Sequence, residues 1–199
     1  MRDVLKATLR LVALVAVSPV LLYYRIARGA GGTRSFESCS QLLSLVPGLT
    51  GQYVRRAFYS RTLGACANTA VISFGVVLSS PKARIGPGAY IGPFCTLGLV
   101  DVGADVLIAA GAQVPSGSRT HGISTGAAIR NQEGEPRLVT LAAGAWIGNN
   151  AVIMADVGAE SIVGAGAVVT RPVPPGVVAA GVPARVIRSR NASGEAPVR

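Results

Sequence analysis

Residues 83–114 read ARIGPGAYIGPFCTLGLVDVGADVLIAAGAQV, and residues 141–169 read LAAGAWIGNNAVIMADVGAESIVGAGAVV. In the first stretch Ile85, Ile91, Leu97, Val102, Ile108 and Val114 recur at close to six-residue intervals. In the second, Leu141, Ile147, Ile153, Val157, Val163 and Val169 do the same. A very small residue follows most of these rungs: Gly86, Gly92, Gly98, Gly103, Ala109, Ala142, Gly148, Gly158 and Gly164. Neither a 3.6-residue nor a two-residue period produces that pattern. A hexad repeat is the mark of a parallel β-helix, in which each hexad supplies one short strand and one corner. Three hexads close one triangular turn, the aliphatic residue points into the shared core, and the small residue lets the backbone turn where a larger Cβ would clash. Two shorter intervals, five residues from Leu97 to Val102 and four from Ile153 to Val157, read as trimmed corners. Ile72 and Leu78 extend the ladder backwards as an incomplete first coil.

Between the two flights lies a long insertion, residues 115–140, carrying His121, the one histidine of the chain. An insertion of that length leaves the prism, and such loops carry function more often than packing. The ladder, this loop, the run Ala145-Trp146-Ile147-Gly148-Asn149-Asn150 and the tail from Gly164 through Thr170 to Pro183-Ala184-Arg185-Val186-Ile187-Arg188 resemble the hexapeptide-repeat acyltransferases. The nearest branch is the galactoside, maltose and xenobiotic acetyltransferases, with the O-acetyltransferases of polysaccharide biosynthesis. The resemblance implies a left-handed coil, although general chain chirality favours right-handed crossovers. It also implies acetyl-coenzyme A as acyl donor, a homotrimer with its sites between subunits, and His121 as the base that removes the acceptor proton. An imidazole titrates near neutrality and suits that task.

By the same resemblance Trp146 and Asn149 lie along the pantetheine, Ala165 meets it through its backbone, and Thr170, Arg171, Arg185 and Arg188 stand near the phosphates. Arg171 departs from the commoner lysine, but a forked donor serves phosphate as well. Asp101, Asp105, Glu133 and Glu135 are all candidates to orient the imidazole.

The rest of the chain divides by composition. Residues 1–30 contain a charge-free run from Leu11 to Tyr24 between Arg10 and Arg25, interrupted by Ser18-Pro19. As a helix this run spans roughly 21 Å at about 1.5 Å per residue, short of a roughly 30 Å hydrocarbon core, and proline bends helices. A re-entrant helix near residues 9–25 is therefore expected, with a single spanning helix as its rival. A cleaved signal peptide is the weaker alternative, because a coenzyme A-dependent enzyme works in the cytoplasm, here at the inner face of the plasma membrane. Residues 31–66 read as an amphipathic helical cap in which Arg55, Arg56 and Arg61 face anionic lipid. The β-helix proper is expected over 67–188, and 189–199 as a tail.

Nineteen Lys/Arg against nine Asp/Glu, with a mean hydropathy of +0.47, call for anionic partners and a membrane surface. Nucleic acid is not among them, since the basic residues form no binding motif and aromatics are sparse. One histidine cannot rebuild a three-histidine zinc site, so no metal is expected. Cys39, Cys66 and Cys95 make neither a zinc nor a disulfide pattern, and Cys66 and Cys95 read as buried packing residues. The function expected is acetyl-coenzyme A-dependent O-acylation of a sugar or lipid-linked sugar for a surface polysaccharide or glycolipid. N-acetylation of an amino sugar or small amine is the alternative, and a non-catalytic scaffold ranks below both.

Overall fold

The computed structural model describes residues 2–190. Two helices, α1 (Arg2–Ser44) and α2 (Gly48–Thr62), precede a stack of coils. Coil one is β1 (Ala65–Cys66), β2 (Val71–Ile72) and β3 (Val77–Leu78); coil two is β4 (Arg84–Ile85), β5 (Tyr90–Ile91) and β6 (Thr96–Leu97). Coil three comprises β7 (Val100–Val102), β8 (Leu107–Ile108) and β9 (Gln113–Val114). Coil four comprises β10 (Val139–Leu141), β11 (Trp146–Ile147) and β12 (Val152–Ile153). Coil five enters through Val157, which bridges Leu141 and Val173, and continues as β13 (Ile162–Val163) and β14 (Val168–Val169). A last partial coil holds β15 (Val177–Ala180), on which β16 (Arg185–Ser189) folds back antiparallel.

Corresponding strands stack in register into three faces. The first is β1-β4-β7-β10, the second runs from β2 through β5, β8, β11 and β13 to β15 and β16, and the third is β3-β6-β9-β12-β14. Every ladder but the last is parallel. All twelve rungs of the sequence pattern are buried to 1% exposure or less. The chain is thus a parallel β-helix of about six turns behind a helical cap.

The irregular intervals fall at one vertex. Corners from the first to the second face and from the second to the third keep six residues, as in Ile85, Ile91, Leu97 or Leu141, Ile147, Ile153. The return from third to first face takes seven residues after Leu78, five after Leu97, and four after Ile153 and after Val169. The histidine-bearing insertion leaves from this same vertex, between Val114 and Val139. The small residue after each rung also has a reason beyond the turn. A Cβ at Gly92 would come within 2.8 Å of the backbone of Ala109 in the next coil, and one at Gly148 within 2.5 Å of Ala165 N. The first coil is complete rather than partial, because Ala65 and Cys66 pair with Arg84 and Ile85.

The cap departs from the sequence reading at two places. Helical geometry passes through Pro19 and breaks only at Gly32 (φ 53°, ψ −132°). Proline at 19 removes the amide that would serve the Val15 carbonyl, and the Ser18 hydroxyl takes its place at 2.7 Å. The apolar helix therefore runs for 23 residues, Ala7–Gly29, long and apolar enough to cross a membrane by length and composition. Beyond Gly32 the chain folds back, and Tyr24 packs on Phe36 and Phe58 with ring centroids 5.9 Å away in each case.

Arg55 is the second departure. It does not face outward but is fully buried, with Nε donating to Ile72 O at 3.0 Å and Nη1 to Leu43 O at 3.0 Å and Val46 O at 2.7 Å. Leu43 O at the end of α1 also accepts from Val46 N at 3.3 Å, so Arg55 adds a second donor there while serving Val46 in the link to α2 and Ile72 in coil one. Burial pushes its pKa down from the usual arginine value. Ser40 completes the joint: its hydroxyl accepts from Leu78 N at 2.8 Å and meets Tyr59 Oη at 2.7 Å. Together these contacts fasten the cap to coil one.

Candidate active site

Val114 ends the third face, and the chain then leaves the prism as an arm whose two limbs run side by side. Arg137 N donates to Ser116 O and Glu135 N to Arg119 O, each at 2.7 Å. Further out, the Gln132 side chain accepts from Ser124 N at 2.8 Å and donates to Ser124 O at 2.9 Å and Ala127 O at 2.8 Å. The loop is thus a tied structure with a defined place for His121. His121 is exposed and lines a cavity of about 390 Å³ with Ser118, Arg119, Glu133 and Glu135. A second cavity, about 480 Å³, shares Ser118, Arg119 and Glu135 and continues to Arg137, Met154 and Thr170 at the foot of the arm.

The acidic candidates separate on this geometry. Asp101 lies on the first face 3.6 Å from Arg84, Asp105 occupies a left-handed corner (φ 54°) between the first and second faces, and Glu135 pairs with Arg119 at 3.3 Å. Glu133 shares the cavity of His121, and no salt bridge among the described residues includes it. Below the arm, Arg137 pairs with Asp156 at 3.0 Å, and Asp156 Oδ1 also accepts from Thr140 N at 2.9 Å. Sequence reading singled out neither Arg119 nor Arg137, because their partners are distant in sequence: Glu135 meets Arg119 across the limbs, and Asp156 meets Arg137 from the prism.

The expected coenzyme A residues sit on two separate edges of the prism. Trp146, 48% exposed, points out from the second face, in register with Leu107 on one side and Ile162 on the other. The same row continues through Val178 to Arg188 on β16, while Arg185 pairs with Ala180, two residues further along β15. Asn149 and Ala165 stack on consecutive coils at the corner between second and third faces, where Gly166 N donates to Asn149 O at 2.8 Å. Thr170 and Arg171, by contrast, lie at the vertex that bears the arm, across the third face from Asn149. One chain therefore brings His121, Thr170 and Arg171 to one edge, and Trp146, Asn149, Ala165, Arg185 and Arg188 to another.

Among the described residues no group of three His, Cys, Asp or Glu side chains is arranged to hold a metal ion. Burial pushes the Cys66 and Cys95 thiols up to about 11, and Cys95 Sγ donates to Ala109 O at 3.1 Å within the core. Neither is poised as a nucleophile.

Comparison with known proteins bears out the resemblance to the hexapeptide-repeat acetyltransferases read in the sequence, and their fold is the stacked parallel β-helix described above. The chain is 51% identical over 55 residues to the galactoside O-acetyltransferase of Escherichia coli (strain K12), a segment that spans 27% of each protein. A hexapeptide-repeat acetyltransferase from Vibrio cholerae O1 biovar eltor, solved with acetyl-coenzyme A, is 25% identical with a TM-score of 0.59, over 81% of this chain and 91% of that one. The fold also matches an N-acyltransferase from Bacillus cereus, solved with coenzyme A and dTDP-4-amino-4,6-dideoxyglucose (TM-score 0.54, 19% identity, 63% of this chain and 73% of that one). No family profile matches the chain.

Proposed function

We propose that this chain is an acetyl-coenzyme A-dependent O-acetyltransferase that acts on a sugar or lipid-linked sugar for a surface polysaccharide or glycolipid, with His121 as general base. The observation that carries this reading is the tied arm, which holds the one histidine at the mouth of a cavity bounded by carboxylates. The imidazole takes the proton of the acceptor hydroxyl as its oxygen attacks the thioester carbonyl. The tetrahedral intermediate collapses to the ester, the carbon–sulfur bond breaks, and the imidazolium returns its proton to the departing thiolate. Glu133 lines the same cavity as His121 and, unlike Glu135, forms no ion pair among the described residues, so it is the carboxylate assigned to orient the ring. The donor supplies the activated acyl group. Arg171, Arg185 and Arg188 provide exposed forked cations for its phosphates, and Trp146, Asn149, Ala165 and Thr170 border its path.

The separation of His121 from the Trp146 edge supports a homotrimer in which the arm of one subunit closes against the second face of its neighbour. That face offers an apolar row of Tyr90, Leu107, Trp146 and Ile162, of which the first three are at least 40% exposed. The 23-residue apolar helix supports a place at the inner membrane surface, where lipid-linked acceptors reside. N-acetylation of an amino sugar is the second reading, favoured by the fold shared with the Bacillus cereus N-acyltransferase. The test is release of coenzyme A thiol against a panel of UDP-sugars, UDP-amino sugars, lipid-linked sugars and glycosides, with products identified by mass spectrometry. An alkali-labile ester is expected; an alkali-stable amide would transfer the assignment to the amine, and no turnover with any acceptor would count against both.

A further inference from the structure

Residues 1–66 carry nine Lys/Arg against two Asp/Glu, so most of the chain's net positive charge, +7 of +10, resides in the segment that forms the cap. Three of these arginines converge. Arg10 of α1 and Arg56 and Arg61 of α2 line one cavity of about 160 Å³, together with Tyr53, Ser60 and Asn68, the last from the corner of coil one. Two of the guanidinium groups are held in place. Arg56 Nη1 donates to Ala70 O at 3.2 Å while its guanidinium carbon lies 4.7 Å from the centroid of the Tyr53 ring. Arg61 Nη1 donates to Ala57 O and to Ser60 Oγ, both at 3.0 Å. None of the salt bridges among the described residues includes any of the three. Like charges gathered around one cavity repel, and an anion bound there relieves the repulsion. Guanidinium forks with donors to spare suit a phosphate ester, whose oxygens accept from several N–H groups together.

The neighbouring surface indicates where that phosphate comes from. Ala13, Val17, Leu21 and Tyr24 turn one stripe of α1 inward, while Leu11, Val12, Val15, Leu22, Tyr23 and Ile26 remain 56% exposed or more. The helix that contributes Arg10 thus carries a long unpartnered apolar face, the pattern of a helix lying in a membrane interface.

We infer that the Arg10–Arg56–Arg61 cavity binds the phosphate of an anionic phospholipid headgroup while the apolar face of α1 enters the same leaflet. This rests on the membrane-surface reading above and adds a specific site to it. The test compares full-length wild type with Arg10→Gln/Arg61→Gln, both exposed positions that leave the Arg56 contacts intact. Arg25→Gln/Arg28→Gln removes the same charge from exposed sites on the same helix outside the cavity. Binding to phosphatidylcholine vesicles with and without phosphatidylglycerol is measured by flotation, and thermal shifts with glycerol 3-phosphate are measured in parallel. The cavity pair is expected to lose about tenfold more affinity for phosphatidylglycerol vesicles than the control pair, as the loss of charge-assisted hydrogen bonds implies. Equal losses in the two pairs would mean diffuse charge attraction and overturn the site. If wild type floats with neither vesicle but glycerol 3-phosphate stabilises it and not the cavity variant, the phosphate site stands and the membrane reading fails. Flotation that is unchanged in the cavity variant, with no stabilisation by glycerol 3-phosphate, would remove the site and leave the membrane reading intact.

Discussion

Gly134 stands where the two limbs of the arm run closest together, and a Cβ there would overlap the Thr120 carbonyl and lie 2.8 Å from the amide nitrogen of His121. Gly134→Ala must therefore push His121 outward. Because a misplacement of about 1 Å can cost on the order of 10²-fold in rate, this variant is expected to lose about that much turnover, with unchanged melting temperature and coenzyme A affinity. A variant with wild-type turnover would show that the limb does not set the imidazole. The cysteines give a second check at this scale. With Cys66 and Cys95 thiols raised to about 11, the thiolate forms only well above neutral pH, so iodoacetamide should label both slowly in the folded protein at pH 8 and rapidly after unfolding. Fast labelling of either native thiol would contradict the burial of Cys95 or the half-burial of Cys66. The histidine was legible because it is unique and sits in an interruption of a regular repeat. The function of Gly134 was not, since only the returning limb reveals what its missing side chain avoids.

At the scale of elements, the β-helix was readable and the cap only partly so, for one physical reason. Each rung of the ladder repeats its neighbour's environment, so a single period in the sequence reports every rung from Ile85 to Val114 and from Leu141 to Val169. Helix contacts do not repeat. Arg55 reads as one more exposed arginine until α2 is docked between the end of α1 and coil one, where its guanidinium serves the carbonyls of Val46 and Ile72. Pro19 reads as a break until Ser18 is seen to serve the Val15 carbonyl. Arg55→Met is accordingly expected to destabilise the cap by about 3 kcal/mol or more, as buried carbonyls left unpaired cost about 1–3 kcal/mol each. Thermal unfolding followed by circular dichroism should lose its helical signal early while the β signal persists; a single unshifted transition would refute that place for Arg55.

For the whole molecule, the trimmed corners, the arm and Thr170 all fall on one vertex, whereas Asn149 and Ala165 occupy another. The hexad pattern could not convey this, because it gives the number of corners without saying which edges a neighbour covers. If each site joins the arm of one subunit to the Ala165 corner of the next, two defects on different subunits should complement. His121→Ala and Ala165→Tyr homotrimers are each expected to be inactive, while co-refolded mixtures should regain part of the wild-type activity. Mixtures as inactive as their parents would argue for sites built within one chain.

The central claim is most directly tested by the rate of acetyl-coenzyme A thiol release by His121→Ala, with the best acceptor and with coenzyme A affinity measured alongside. Loss of the general base predicts a fall in turnover of about 10²–10⁴-fold with affinity for coenzyme A retained. Turnover close to wild type would show that another group removes the proton and that the arm has a different purpose.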